Sequence, residues 1–200
     1  MPFSVSQVDD NLEEEEMATK TVYQFKVTLR GIRPPIWRRF QVYNDITFYE
    51  LHQVLQEVMG WFDSHLHQFD LGGLVVTDAE TLAETWEDGV DERRARLNKY
   101  VAREGQKIRY EYDFGDSWEH DVVLEKILPA EPGVHYPRCL KGKRACPPED
   151  SGGVWGYAAL LEALADEAHP EHEMYLEWLG DDLDPEAFDV AEVNEVLQEN

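Results

Sequence analysis

Between Lys107 and Ile127, apolar and polar residues alternate on both sides of Tyr112-Asp-Phe-Gly-Asp-Ser-Trp-Glu-His120. A period of two broken once at a glycine predicts an antiparallel hairpin, with Gly115 relaxing the backbone and Asp116 or Ser117 bonding to it. Two registers compete. A Gly115-Asp116 loop would set Tyr112 against Glu119 and Tyr110 against Asp121, mixing aromatic and charged side chains on one face. A loop of Gly115 to Ser117 pairs Phe114 with Trp118, Tyr112 with His120, Tyr110 with Val122 and Ile108 with Leu124, so one face is wholly apolar in character. The hydrophobic pattern selects the second register. Asp113-Phe114-Gly115 is also the metal-binding tripeptide of protein kinases, but this chain has no glycine-rich loop or His-Arg-Asp loop and is too short for two lobes.

The rest of the chain reads as strands, then helices. Thr21 to Arg30 alternates like a half-buried strand, and Ile36 to Tyr43 reads as a second after the break at Arg33-Pro34-Pro35. Thr47 and Glu50 have capping-box spacing, and Leu51, Val54, Leu55, Val58 and Met59 follow at helical intervals up to Gly60. His65 to Leu71 reads as a short strand and Asp91 to Val101 as a charged helix, with Gly72 to Gly89 ambiguous between them. Pro129 to Gly156 predicts a long irregular stretch, of the kind that is functional or held in place by something. Helices are expected over Tyr157 to Ala168, Pro170 to Leu179 and after Asp189, where Glu192 repeats the capping spacing. Asp184-Pro185 reads as an N-cap followed by proline, which leaves the acids around it without assigned chemistry.

Composition excludes several classes. A formal charge of −24 repels phosphate backbones and anionic membranes, so nucleic acid is disfavoured as a partner. Glu149 to Asn200 contains no lysine or arginine, whereas basic residues cluster at Arg30 to Arg39 and Arg138 to Arg144. That asymmetry fits basic patches facing the chain's own acids, a cationic protein partner, or life at high salt. No run approaches the roughly 18 apolar residues of a membrane span, and the acidic N-terminus is unlike a signal peptide, so a cytoplasmic location is expected. Residues 1–18 read as a disordered acidic tail.

Candidate chemistry gathers in the irregular segments. His65 and His67, two apart on the expected strand, would share a face and could bind one metal ion, or could be half-buried polar residues where the strand begins. Cys139 and Cys146 flank a basic loop. Zinc could hold that loop with the histidine pair, nearby Lys141, Lys143 and Arg144 could instead lower a thiol pKa, and two structural cysteines are the commonest alternative. Gly152 and Gly153 offer backbone N–H groups to an anion, while Glu149 and Asp150 could bind a cation or orient a water; the competing reading is a turn before a helix. His120, opposite Tyr112 in the chosen register, reads first as a core histidine and second as a ligand.

Five blocks in order, Arg33-Pro-Pro-Ile-Trp-Arg-Arg39, Met59-Gly-Trp with Ser64-His-Leu-His-Gln-Phe69, Tyr112 to His120, Cys146-Pro-Pro-Glu-Asp-Ser-Gly-Gly153 and Trp178-Leu-Gly-Asp-Asp182, resemble the plasmid pRiA4b ORF-3-like family over about Tyr23 to Val196. The resemblance implies a compact α+β domain, found in bacterial and archaeal genomes and sometimes beside mobile elements, and brings no catalytic residue with it. In the family pattern the position of Ser151 is often cysteine, so a thiol cluster here lacks one member and His65, His67 or His120 would have to supply it. The fold expected is a single α+β domain over residues 19–200, with a mostly antiparallel sheet packed with helices and a helical C-terminal segment. The sequence assigns no function; the leading expectation is a binding or adaptor domain with a cleft of Tyr112, Asp116, His120, Glu149, Asp150, Gly152 and Gly153, where His65, His67, Cys139 and Cys146 could hold zinc or another divalent metal. The alternatives are a metal-dependent hydrolase or nuclease-like enzyme, and a DNA-associated factor of a mobile element.

Overall fold

The computed structural model describes residues 20–85, 88–180 and 183–199. The acidic segment 1–18 lies outside them. Eight strands form one sheet: β1 (Thr21–Leu29), β2 (Trp37–Tyr43), β3 (His67–Asp70), β4 (Val75–Thr77), β5 (Gly89–Asp91), β6 (Lys107–Tyr112), β7 (Trp118–Pro129) and β8 (Arg138–Lys143). Their order across the sheet is β5-β4-β3-β6-β7-β1-β2-β8, and every pair is antiparallel except β4 with β5. The helices described are α1 (Phe48–Met59), α2 (Ala79–Thr85), α3 (Leu97–Tyr100), α4 (Gly153–Ala165), α5 (His172–Leu179) and α6 (Val190–Glu199). The chain is thus an α+β domain with a helical C-terminal segment, and no described helix is long and apolar enough to cross a membrane.

The elements follow from their side chains. In β1, Tyr23, Phe25, Val27 and Leu29 enter the core, while Lys26 and Thr28 point the other way. On that outer face Arg39 makes a two-pronged bond to Glu125 (2.5 and 2.8 Å), which also accepts from Gln24, and Arg138 bonds Gln41 and Glu131. The basic clusters therefore face the chain's own acids, as one of the three charge readings expected. The capping box of α1 is complete, with Glu50 N–H donating to Thr47 Oγ1 (3.2 Å) and Thr47 N–H to Glu50 (2.6 Å), and Gly60 ends the helix at φ 86°. The apolar face of α1 buries Phe48, Leu51 and Leu55, and Phe48 meets Phe69 of β3 edge to face at 5.1 Å.

Four expectations change. The hairpin pairs Tyr112 with Trp118, Tyr110 with His120 and Ile108 with Val122, two residues away from the expected register. A shift of two keeps every side chain on its expected face, so the hydrophobic pattern cannot distinguish the two registers. The turn decides between them: Asp113 Oδ1, rather than Asp116 or Ser117, accepts from Gly115 (2.9 Å) and Asp116 (3.3 Å), and Ser117 N–H reaches Asp113 O at 2.6 Å. Asp91 to Val101 is mostly a turn between β5 and the short α3, because Asp91 accepts from Arg93, Arg94 and Ala95 and stops the chain from extending. The long irregular stretch contains β8, an edge strand that completes its bonding with Asn194 of α6: Cys139 N–H donates to Asn194 Oδ1 (2.7 Å) and Asn194 returns to Cys139 O (2.9 Å). Asp184-Pro185 begins a single turn and no helix; Asp184 accepts from Glu186 and Ala187.

Candidate functional site

Three segments meet at the end of the β6–β7 hairpin: residues 61–67 after α1, the turn 113–117, and residues 147–153 before α4. Tyr112, the last residue of β6, ties them. Its hydroxyl donates to Glu149 Oε1 (2.6 Å) and accepts from Ser64 N–H (2.9 Å), while Phe62 N–H also donates to Glu149 Oε1 (3.0 Å). Burial first, and then the Glu149 carboxylate that accepts its proton, push the Tyr112 phenol well above its ordinary range and hold it as a neutral donor. Trp61 stacks on the Tyr112 ring (5.0 Å, 24°) and its indole N–H donates to Pro147 O (3.0 Å). Asp116 Oδ2 accepts from Gly152 N–H (2.9 Å), so the anion at Gly152 is the chain's own carboxylate. Gly153, at φ 66°, lies so close to the turn that an added Cβ would sit 2.4 Å from Asp116 O.

Within this knot, His65 Nε2 lies 3.2 Å from Asp150 Oδ1 and 3.7 Å from Asp113 Oδ2. The nitrogen is shielded from solvent and has no hydrogen-bond partner among the described residues: the carboxylates are within ion-pair range but out of hydrogen-bond alignment. Asp113 divides its oxygens, giving Oδ1 to the turn and leaving Oδ2 toward the histidine. Asp63, Asp113 and Asp150 all adopt left-handed φ, near 56°, 57° and 58°, a conformation that costs free energy unless the surroundings impose it.

A second cluster lies deeper. His52 of α1 and His67 of β3 stack face to face, with centroids 3.4 Å apart and planes within 1°. Gln56 donates to Tyr110 Oη (2.9 Å), which leaves the Tyr110 proton for His52 Nδ1 (2.8 Å); His52 Nε2–H then donates to Asp63 Oδ1 (2.7 Å). His67 Nε2 pairs with the buried Glu92 at 2.7 Å. Burial, and next the neighbouring His67, depress the His52 pKa, so His52 sits there neutral. His52, Asp63 and His67 are close enough to suggest a metal site. The ring geometry argues otherwise: imidazole binds a metal along its in-plane lone pair, and an ion between stacked rings would lie far out of both planes. Both His52 nitrogens are also already bonded, so this is a hydrogen-bonded stack.

Of the expected cleft residues, Tyr112, Asp116, Glu149, Asp150, Gly152 and Gly153 come together. His120 does not join them; it is wholly buried beside Trp61, with Nδ1 on Tyr110 O at 3.3 Å. His65 precedes β3, while His67 begins it and belongs to the stack, so the two histidines do not converge on one ion. Cys139 lies on β8, separated from β3 by β6, β7, β1 and β2, and neither it nor Cys146 joins a ligand cluster among the described residues. Burial raises both thiols, Cys146 to about 12, which outweighs the lowering expected from the neighbouring cations. Sequence reasoning missed His52, Asp63, Glu92 and the ligand-like role of Asp113. His52, a lone histidine on the apolar face of α1, was the one local signal.

Two outcomes test this geometry. Gly153→Ala adds a clash to a left-handed backbone and is expected to cost about 2–4 kcal/mol in denaturant unfolding, against about 1–2 for Gly133→Ala, which has φ 74° and open space. Burial depresses the His120 pKa to about 4, from about 6.5 in the unfolded chain. The unfolded state therefore binds this proton more tightly; stability is intact above pH about 6.5 and falls by about 3 kcal/mol as pH drops to 4. His120→Gln should flatten that part of the stability profile relative to the wild type; parallel profiles would contradict the assignment.

The chain is 41% identical over 184 residues to the uncharacterized protein y4hQ of Sinorhizobium fredii (strain NBRC 101917 / NGR234), covering 90% of this chain and 92% of that one. Its fold matches the crystal structure of the protein of unknown function MM3350 from Methanosarcina mazei Go1, with TM-score 0.77, 45% identity, and coverage of 86% of this chain and 97% of that one. The model of the plasmid pRiA4b ORF-3-like protein family matches residues 21–192, and the chain belongs to that family.

Proposed function

We propose that the chain is a binding domain whose cleft holds a divalent metal ion, of the zinc or manganese class, on His65, Asp113 and Asp150. The observation that carries this is the His65 nitrogen, shielded from water and without a hydrogen bond, 3.2 and 3.7 Å from two carboxylate oxygens. Ligands about 2.1 Å from a tetrahedral ion stand about 3.4 Å apart, and these two separations bracket that value. One imidazole with two carboxylates suits borderline and hard divalent ions and leaves coordination positions for water or a partner's donor atom.

A hydrolase would need a free base beside such an ion. Glu149 is the nearest candidate by sequence, but its Oε1 already accepts two hydrogen bonds and acts as a strut for the loops, which favours the binding reading. A DNA-associated role is opposed by the charge of −24.

Elemental analysis and zinc or manganese titration calorimetry test the proposal. We expect close to one ion per chain in the wild type. Asp150→Asn, at an exposed position, should weaken binding by at least tenfold, while Cys146→Ser and His67→Gln leave it unchanged. A wild type that takes up no ion, or an ion lost in Cys146→Ser and kept in Asp150→Asn, would overturn it.

A further inference from the structure

The same cleft is bordered by exposed apolar side chains. Phe62 and Trp155 are 83% and 87% exposed, and Leu66 and Phe114 are also exposed. Each belongs to a site segment: Phe62 N–H bonds Glu149, Leu66 O accepts from Asp113 N–H (2.9 Å), Phe114 follows Asp113, and Trp155 lies in the first turn of α4, just after Gly153. Two aromatic rings this open are unusual on a surface with no partner, and their gathering around one site is the mark of an interface.

Charge selects the partner. Segments 61–67, 113–117 and 147–157 contain acids and no lysine or arginine, and none follows to the end of the chain. Asp63, next to Phe62 in the chain, and Asp150 are both exposed. Aromatic faces beside exposed carboxylates favour guanidinium and ammonium groups, through ring attraction and ion pairing together, while the rings also take apolar side chains. A second copy of this chain would bring its own −24 charge and the same acidic face, so self-docking is opposed.

We infer that this face docks a basic, partly apolar peptide segment of another protein, in which arginine or lysine alternates with aliphatic or aromatic residues. The inference rests on reading this face as a binding cleft, and it holds with or without the metal ion. Its contacts are the four apolar side chains and the acids between them.

The test uses a fluorescein-labelled twelve-residue peptide of alternating arginine and leucine, with arginine–serine and glutamate–leucine peptides as controls. Anisotropy is read with the full chain at moderate salt, once with EDTA and once with added zinc, so failure of metal binding is seen separately. We expect saturable binding of the arginine–leucine peptide, at least tenfold weaker for the arginine–serine peptide and none for the glutamate–leucine peptide. The double variant Phe62→Ala/Trp155→Ala leaves the charge unchanged and alters only exposed side chains; it should weaken binding at least tenfold, which diffuse attraction to an acidic protein would not. Equal affinity of wild type and double variant, equal affinity for the arginine–leucine and arginine–serine peptides, or a wild-type dimer that the double variant dissociates would overturn the inference.

Discussion

One hydrogen bond organises the site. Tyr112 donates a hydrogen bond to Glu149, and both groups accept backbone N–H groups from the segment after α1. A hairpin end and two loops, far apart in sequence, thereby share a single polar knot under the Trp61 ring. Burial first, and then the hydrogen bond to Glu149, raise the Tyr112 phenol, so it stays a neutral donor in that bond. The placement of His65, Asp113 and Asp150 follows from that arrangement, as does the pressing of Gly153 against the turn.

The two histidine clusters show how proximity and chemical competence differ. The buried His52–His67 stack satisfies its nitrogens with Tyr110, Asp63 and Glu92, and its rings face each other rather than a common point. His65 keeps a nitrogen without a hydrogen-bond partner among the described residues, beside two carboxylates. The first cluster fastens α1 to β3 and thereby supports Asp63 at the root of the 61–67 segment. The second reaches the surface through Asp150, whose side chain is exposed.

Much of the fold was legible from local patterns. The capping box at Thr47 and Glu50, the alternation in β1 and the faces of the hairpin rest on sequence-near interactions, and they appear as expected. The hairpin register was not legible, because a shift of two leaves the pattern intact and the choice rests on how Asp113 bonds its own turn. β8 was hidden because its bonding is completed by Asn194, fifty-five residues away. At the site, six of the seven expected cleft residues converge, since each lies in or next to a turn rich in acids and glycine. The metal quartet of His65, His67, Cys139 and Cys146 does not, because His65 precedes the strand and four strands separate Cys139 from β3. Asp113 was passed over as a turn residue, although one of its oxygens makes the turn and the other faces His65.

On the proposed reading, the His65 nitrogen and its two carboxylates form a cation site. A crystal of the protein soaked in manganese and measured for anomalous scattering tests it most directly. The account predicts one strong peak about 2.0–2.2 Å from His65 Nε2, Asp113 Oδ2 and Asp150 Oδ1. A peak between His52 and His67, a peak at Cys146, or a His65 nitrogen hydrogen-bonded to a carboxylate with no peak beside it would contradict the account.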